Sequence, residues 1–210
     1  FKEVQIDCDW SLKSKVNYFR FLKKIKDKLS NNKLLSATIR LHQYKYWKKT
    51  GVPPINNGVL MCYNIGEIEK VNETNSIISY DLVKQYLKKG MSYPLKLSIA
   101  LPIYKWALVF RLGQLSSIIN DTDEKNTNGQ IKKINKNRYL VEKNFYKKGH
   151  FLSKDDELRF EKVDINELEK ISKYISNLEF DKLVFYHISQ TKINDYETNK
   201  LNQINSNIIR

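Results

Sequence analysis

Glu3-Val4-Gln5-Ile6-Asp7-Cys8-Asp9-Trp10 reads as a buried strand that ends in two carboxylates one residue apart. Side chains alternate along a strand, so Asp7 and Asp9 are expected on one side and Ile6, Cys8 and Trp10 on the other. Two like charges at that spacing are costly to bury without a partner, a proton or a metal. The C-terminal end of a strand, where this pair falls, is where parallel α/β proteins gather their reactive groups. The plain alternative is a solvated strand end with ordinary carboxylates.

Working outward, Ser11 or Ser14 can cap a helix whose apolar positions Val16, Phe19, Leu22, Ile25 and Leu29 keep a 3.6 period. The run 34–41 reads as the next strand. The run 58–64, after the Gly51-Val52-Pro53-Pro54 loop, reads as a third. Residues 77–89 read as a helix stopped by Gly90, and 97–102 as a fourth strand within 95–109. Alternation of this kind predicts an α/β fold with a parallel sheet and crossover helices.

The second half changes character. Residues 121–137 are polar and read as an exposed loop, while 138–141 and 157–160 read as antiparallel strands of a small inserted ribbon. Ile165, Leu168, Ile171 and Ile175 mark an amphipathic helix. The run 183–188 reads as a last short buried strand, followed by a polar tail that is helical at best.

The chain has 210 residues, 41% of them hydrophobic and 12% aromatic, enough for one domain with a sizeable core. No apolar run of about 18 residues occurs, so no membrane span is expected. The opening at Phe1, without Met and at the threshold of a strand, leads to the expectation that further sequence precedes it. The net charge is +14, yet only six of the 37 basic residues are Arg. Arg is the usual reader of base edges, and the lysines are spread over solvated faces, so no specific nucleic-acid partner is expected. Cys8 and Cys62 are read as buried free thiols, too far apart to bridge if one strand lies between them.

The order of motifs resembles the second half of a chitinase-like barrel of the glycoside hydrolase family 18 type and its bacterial relatives. Ile6-Asp7-Cys8-Asp9-Trp10 is similar to the spaced aspartates of that family's fourth barrel strand. Leu35-Ser36-Ala37-Thr38-Ile39 is similar to its fifth, Met61-Cys62-Tyr63-Asn64 to its sixth, and Ala100-Leu101-Pro102-Ile103-Tyr104 to its seventh. Phe185-Tyr186-His187 would be the eighth. The resemblance implies an incomplete (β/α)8 TIM-barrel-like fold, about strands 4–8, as one domain over 1–210 with an insertion at 121–162. A full barrel takes about 250 residues, so the first three strands would lie upstream of Phe1.

The resemblance further implies carbohydrate handled at the C-terminal strand ends, and favours an extracytoplasmic or cell-surface place. Asp9 would be the main catalytic or polarising carboxylate and Asp7 its electrostatic partner. Arg40, His42, Tyr63, Asn64, Tyr104 and Trp106 would bind the sugar, the aromatic rings offering apolar faces to a pyranose. His42 could also serve as a proton carrier, its ordinary reading being a surface or hydrogen-bonding histidine, and for Tyr63, Tyr104 and Trp106 the ordinary reading is aromatic core filling. Glu67 and Glu69 fall on a loop and read as solvated acids by default.

Two departures bear on activity. The family's general acid stands two residues beyond the second aspartate; here that position is Ser11, whose hydroxyl does not protonate a leaving group near neutral pH. Asn64 stands where the family has Asp. Either another residue supplies the acid, or the barrel is catalytically inactive and binds glycan or a partner. A rival from a different class is the Mg²⁺-dependent haloacid-dehalogenase-type phosphatase, whose opening motif Asp7-x-Asp9-x-Ser11 resembles; it needs a later acidic pair, for which Asp155-Asp156 is the adjacent choice. No cofactor and no metal site are expected on the glycoside-hydrolase reading, since no loop carries a full set of oxygen ligands. The oligomeric state is left open.

Overall fold

The computed structural model describes residues 1–30, 32–187 and 196–209. Four parallel strands come first: β1 (Glu3–Ile6), β2 (Leu34–Arg40), β3 (Asn57–Met61) and β4 (Lys96–Pro102). A fifth, β12 (Leu183–Tyr186), pairs with β4 in parallel, giving a five-stranded sheet in the order β1-β2-β3-β4-β12. This parallel sheet curls as a half-barrel of five strands. Helix α1 (Lys15–Lys28) joins β1 to β2, the short α2 (Leu41–Lys45) and α3 (Trp47–Thr50) join β2 to β3, and α4 (Tyr80–Tyr86) joins β3 to β4.

One face of the sheet packs against the helices. Leu35, Ala37 and Ile39 of β2, Leu60 of β3, and Leu97, Ile99 and Leu101 of β4 form its side of the main core. The helices answer with Tyr18 and Leu22 of α1 and with Leu168, Ile171 and Ile175 of α5 (Ile165–Ile175). The 3.6 period read for α5 lands on this face throughout, with Asp164 capping its first turn through the Asn166 N–H at 2.8 Å. Helix α6 (Thr198–Ile208) adds Ile204 and Ile208, giving the polar tail a buried edge.

Between β4 and α5 the chain builds a second sheet. Its strands are β5 (Lys105–Arg111), β6 (Gln114–Asn120), β7 (Ile131–Lys133), β8 (Arg138–Val141) and β11 (Glu157–Lys162), all antiparallel, in the order β6-β5-β11-β8-β7. A separate hairpin, β9 (Phe145–Lys147) and β10 (His150–Leu152), sits beside it. The pairing of 138–141 with 157–160 is present. The ribbon is larger than the sequence indicated, however, because the antiparallel strands begin at Lys105 and the polar 121–137 segment holds β7. Strand β5 was hidden by its own burial. Trp106, Leu108 and Phe110 enter the main core while Ala107 and Val109 enter a second core with Val141 and Leu158. A strand apolar on both faces shows no alternation.

Several expectations need correction. Strand β1 ends at Ile6 and is half exposed, so the opening stretch is an edge strand followed by an extended turn rather than a buried strand to Trp10. Cys8 is exposed; only Cys62 is a buried thiol. The third strand stops at Met61, leaving Cys62, Tyr63 and Asn64 on the turn that leaves it. The helix read from 77 begins at Tyr80, because Ser79 takes the cap with its hydroxyl accepting from the Leu82 N–H at 3.3 Å. Ile188 of the last strand lies outside the described residues. No helix among the described residues is long and apolar enough to cross a membrane.

Candidate functional site

The C-terminal ends of the five parallel strands carry the polar and aromatic groups singled out from the sequence. Asp7 and Asp9 follow β1. Asp7 Oδ1 accepts from the Thr38 hydroxyl of β2 at 2.9 Å. Asp9 Oδ2 accepts from Arg40, with both Nε and Nη2 at 2.6 Å. Thr38 and Arg40 are two apart in β2 and so share a face, which is why each meets one of two carboxylates that are also two apart. The hydrogen bond to Asp9 is the main reason the Arg40 guanidinium is held above its ordinary pKa; partial burial opposes it.

The turn around Asp9 is braced from beneath. Trp10 is buried, stacks on Tyr18 of α1 at 5.5 Å, and donates its indole N–H to Thr50 O at 3.0 Å. Fully buried Gln43 of α2 accepts from the Arg40 N–H at 2.8 Å and donates to Trp10 O at 3.0 Å. One side-chain amide thus ties the two turns that carry Asp9 and Arg40. Burial, and then the neighbouring Cys8, Asp9 and Asp7, push the Tyr18 phenol up to about 12.

Ser11 does not face the carboxylates as a spare hydroxyl. Its hydroxyl accepts from the Ser14 N–H at 3.3 Å, and its own N–H donates to Ser14 Oγ at 3.0 Å. The two serines close the turn that starts α1, a local use of side-chain oxygens typical of such turns.

Further along the same sheet the strand ends carry an aromatic cluster. Tyr63, after β3, stacks face to face on Tyr186 of β12, with centroids 4.7 Å apart and 2° between the planes. Tyr104, after β4, meets Tyr63 edge-on at 6.3 Å and Tyr186 edge-on at 6.1 Å, and stacks beside His187 at 6.3 Å. The Tyr104 hydroxyl donates to Asn64 Oδ1. Asn64 has φ +53°, a left-handed conformation that asparagine tolerates well. Burial raises the phenols of Tyr63 and Tyr104 well above the ordinary tyrosine value.

The exposures sort these rings. Tyr63 and Tyr104 are each 6% exposed and Tyr186 is 40% exposed, so Tyr186 offers the open ring face. Trp106 is 6% exposed and directs its indole N–H to Glu161 at 2.9 Å, so it is not an open stacking surface. A groove beside the Asp9–Arg40 pair is lined by Arg40, His42, Met61, Tyr63, Asn64 and Tyr86, among others. His42 is exposed at its rim, and its imidazole is lowered from the usual value by lost solvation and then by the Arg40 cation.

Of the residues expected here, Asp7, Asp9, Arg40, His42, Tyr63, Asn64 and Tyr104 therefore gather at this edge. Tyr186, Thr38 and Gln43 belong to the same assembly and were not singled out; the position of Tyr186 at the end of the last parallel strand was the available signal. Glu67 is 73% exposed and pairs with Lys70 at 3.4 Å, as an ordinary loop acid does. The acidic pair Asp155-Asp156 lies in the turn before β11, where Asp156 takes two hydrogen bonds of 2.8 Å from Arg111. It does not join Asp7, so the phosphatase reading gains no support.

No protein-family model matches the chain, and no curated protein matches it in sequence. Solved structures do match in fold. The spore cortex-lytic enzyme SleL of Bacillus cereus superposes with a TM-score of 0.57 at 14% identity, over 100% of this chain and 49% of that one. A chitinase from Chromobacterium violaceum gives 0.55 at 7% identity, over 100% of this chain and 67% of the other. SleL of Bacillus megaterium gives 0.53 at 10% identity, over 100% and 49%. The fold is thus chitinase-like, in agreement with the order of motifs, and the chain spans about half the length of the SleL structures it matches.

Proposed function

We propose that this chain is a glycoside-hydrolase-like module that binds carbohydrate at the C-terminal edge of its parallel strands. The observation that carries the reading is that two unlike sets of groups sit at the C-terminal ends of one parallel sheet. Asp7 and Asp9, anchored by Thr38 and Arg40, supply hydrogen-bond acceptors for sugar hydroxyls. Tyr186, backed by Tyr63, supplies an apolar ring face for a pyranose. A carbohydrate site needs both, since a pyranose presents apolar C–H faces and a rim of hydroxyls. Asp9 is the main polarising carboxylate in this reading, Asp7 its partner, and Arg40 and His42 contact the sugar at the groove.

Binding without turnover is the form we favour. At the position where the resembled family has its general acid, the Ser11 hydroxyl is engaged with Ser14. Protonating a leaving group needs an acid matched to the working pH, which a serine is not. A screen against soluble glycans including chitin oligosaccharides, with wild type and Ser11→Glu side by side, tests this. Binding without cleavage by wild type is the expected result; cleavage gained in Ser11→Glu would mark a hydrolase that has lost its acid, and none gained a binding module. Cleavage by wild type that disappears in Asp9→Asn would replace binding by hydrolysis with another acid, and absence of any binding would remove the carbohydrate reading.

A further inference from the structure

Strand β11 carries a buried ion pair. Arg159 and Glu161, two apart on one face, are 0% and 3% exposed, and Arg159 Nε lies 2.6 Å from Glu161 Oε1. The remaining carboxylate oxygen, Oε2, accepts from Ser76 N at 3.0 Å, from Ser76 Oγ at 2.8 Å and from Trp106 Nε1 at 2.9 Å. Arg159 donates its outer nitrogens to the carbonyls of Lys70 and, at 3.2 Å, Ile68. A charge pair this deep is tolerated only when nearly every lone pair and N–H is satisfied, as here.

These bonds form a closed circuit through the candidate site. Glu161 fixes the indole of Trp106, and Trp106 meets the ring of Tyr104 edge-on at 5.4 Å. Tyr104 holds Asn64 through its hydroxyl. Asn64 opens the segment 64–79, whose carbonyls at 68 and 70 return to Arg159. The second sheet thereby grips the strand-end turn from both of its ends.

We propose that Glu161 is a positioning residue for the carbohydrate site, setting Tyr104 and Asn64 in place through Trp106. This deepens the function proposed above and rests on it for its ligand.

The test follows the Asn64 side-chain amide in the ¹⁵N-labelled chain, assigned by its loss in Asn64→Asp. Glu161→Gln and Trp106→Phe should each shift that amide in folded protein, whereas Glu157→Gln should not, though it breaks a pair with Arg138 on the same strand. Affinity for a chitin oligosaccharide should fall roughly tenfold in the first two variants, and no further when either is combined with Tyr104→Phe, since residues acting through one path are not additive. An unmoved Asn64 amide in folded Trp106→Phe, an equal shift in Glu157→Gln, or losses that simply add to Tyr104→Phe would overturn the proposal. Should Glu161→Gln not fold, Trp106→Phe decides, because it removes the N–H and keeps an aromatic ring. Should wild type bind no sugar, the function falls and the amide readout still decides the positioning.

Discussion

Arg40 stands where the backbone leaves β2 for α2, and its guanidinium, still partly exposed, pairs with Asp9. Its two nitrogens converge on one carboxylate oxygen, a geometry that a lysine ammonium does not reproduce. Arg40→Lys should therefore keep the fold and weaken sugar binding by roughly tenfold, read by calorimetric titration with circular dichroism as the control. His42 supplies a pH dependence. Its folded pKa lies below the unfolded value of about 6.5, so between the two the unfolded chain binds more protons. Stability accordingly rises with pH there and is lost as pH falls below about 6.5. Thermal melts from pH 7 to pH 5 should show a decline that is smaller in His42→Gln. The thiols should also part company: exposed Cys8 reacts with a thiol reagent in the folded chain, while buried Cys62, pushed up to about 12, reacts only on unfolding. At this scale Asp7, Asp9 and Arg40 were legible because two-residue spacings on neighbouring strands announce shared faces. Thr38 and Tyr186 were not, because they join the site only through sheet order, nor was Gln43, which joins through backbone bonds to Arg40 and Trp10. The burial of Trp106 was not legible either: an aromatic residue after a strand looks the same in sequence whether it lines a cleft or fills a core.

Helix α1 shows why some elements read easily and others do not. Tyr18, Leu22 and Ile25 fall on the face that joins the main core, and Leu22 is fully buried. Leu22→Ala should cost about 2–5 kcal/mol of stability, measured by denaturant unfolding; a loss within a few tenths would mean that the helix contributes little to the core. Val16, counted in the apolar period, is 61% exposed, so the period located the helix without fixing its face to the residue. The helix α5 was fully legible, each apolar position being buried or half-buried. Strands β9 and β10 were not, since three residues apiece are too few to establish an alternation. Strand β5 was missed for the opposite reason: it is apolar along its length because two cores share it.

That shared strand couples the whole molecule. The parallel sheet and the second sheet meet at the strand-end edge, where Tyr104 passes directly from β4 into β5. Asn137 and Asn75 add bonds to Thr74 O and Lys162 O across the same boundary, at 2.9 Å and 3.1 Å. With cores continuous through β5, unfolding followed by tryptophan emission and by far-ultraviolet circular dichroism should give coincident transitions; separate midpoints would show two independent units. The barrel-like curl of the parallel sheet and the order of its strands were legible from the alternation of elements and the motif sequence. The size of the inserted sheet was not, because its pairings are set by long-range partners.

The most direct test of the account is a calorimetric titration of the 210-residue chain with a chitin oligosaccharide, repeated with Asp9→Asn and Tyr186→Ala. Saturable binding by wild type, weakened in both variants while their melting curves show folded protein, is the predicted result. Binding that survives both substitutions unchanged would contradict a carbohydrate site at the C-terminal strand ends.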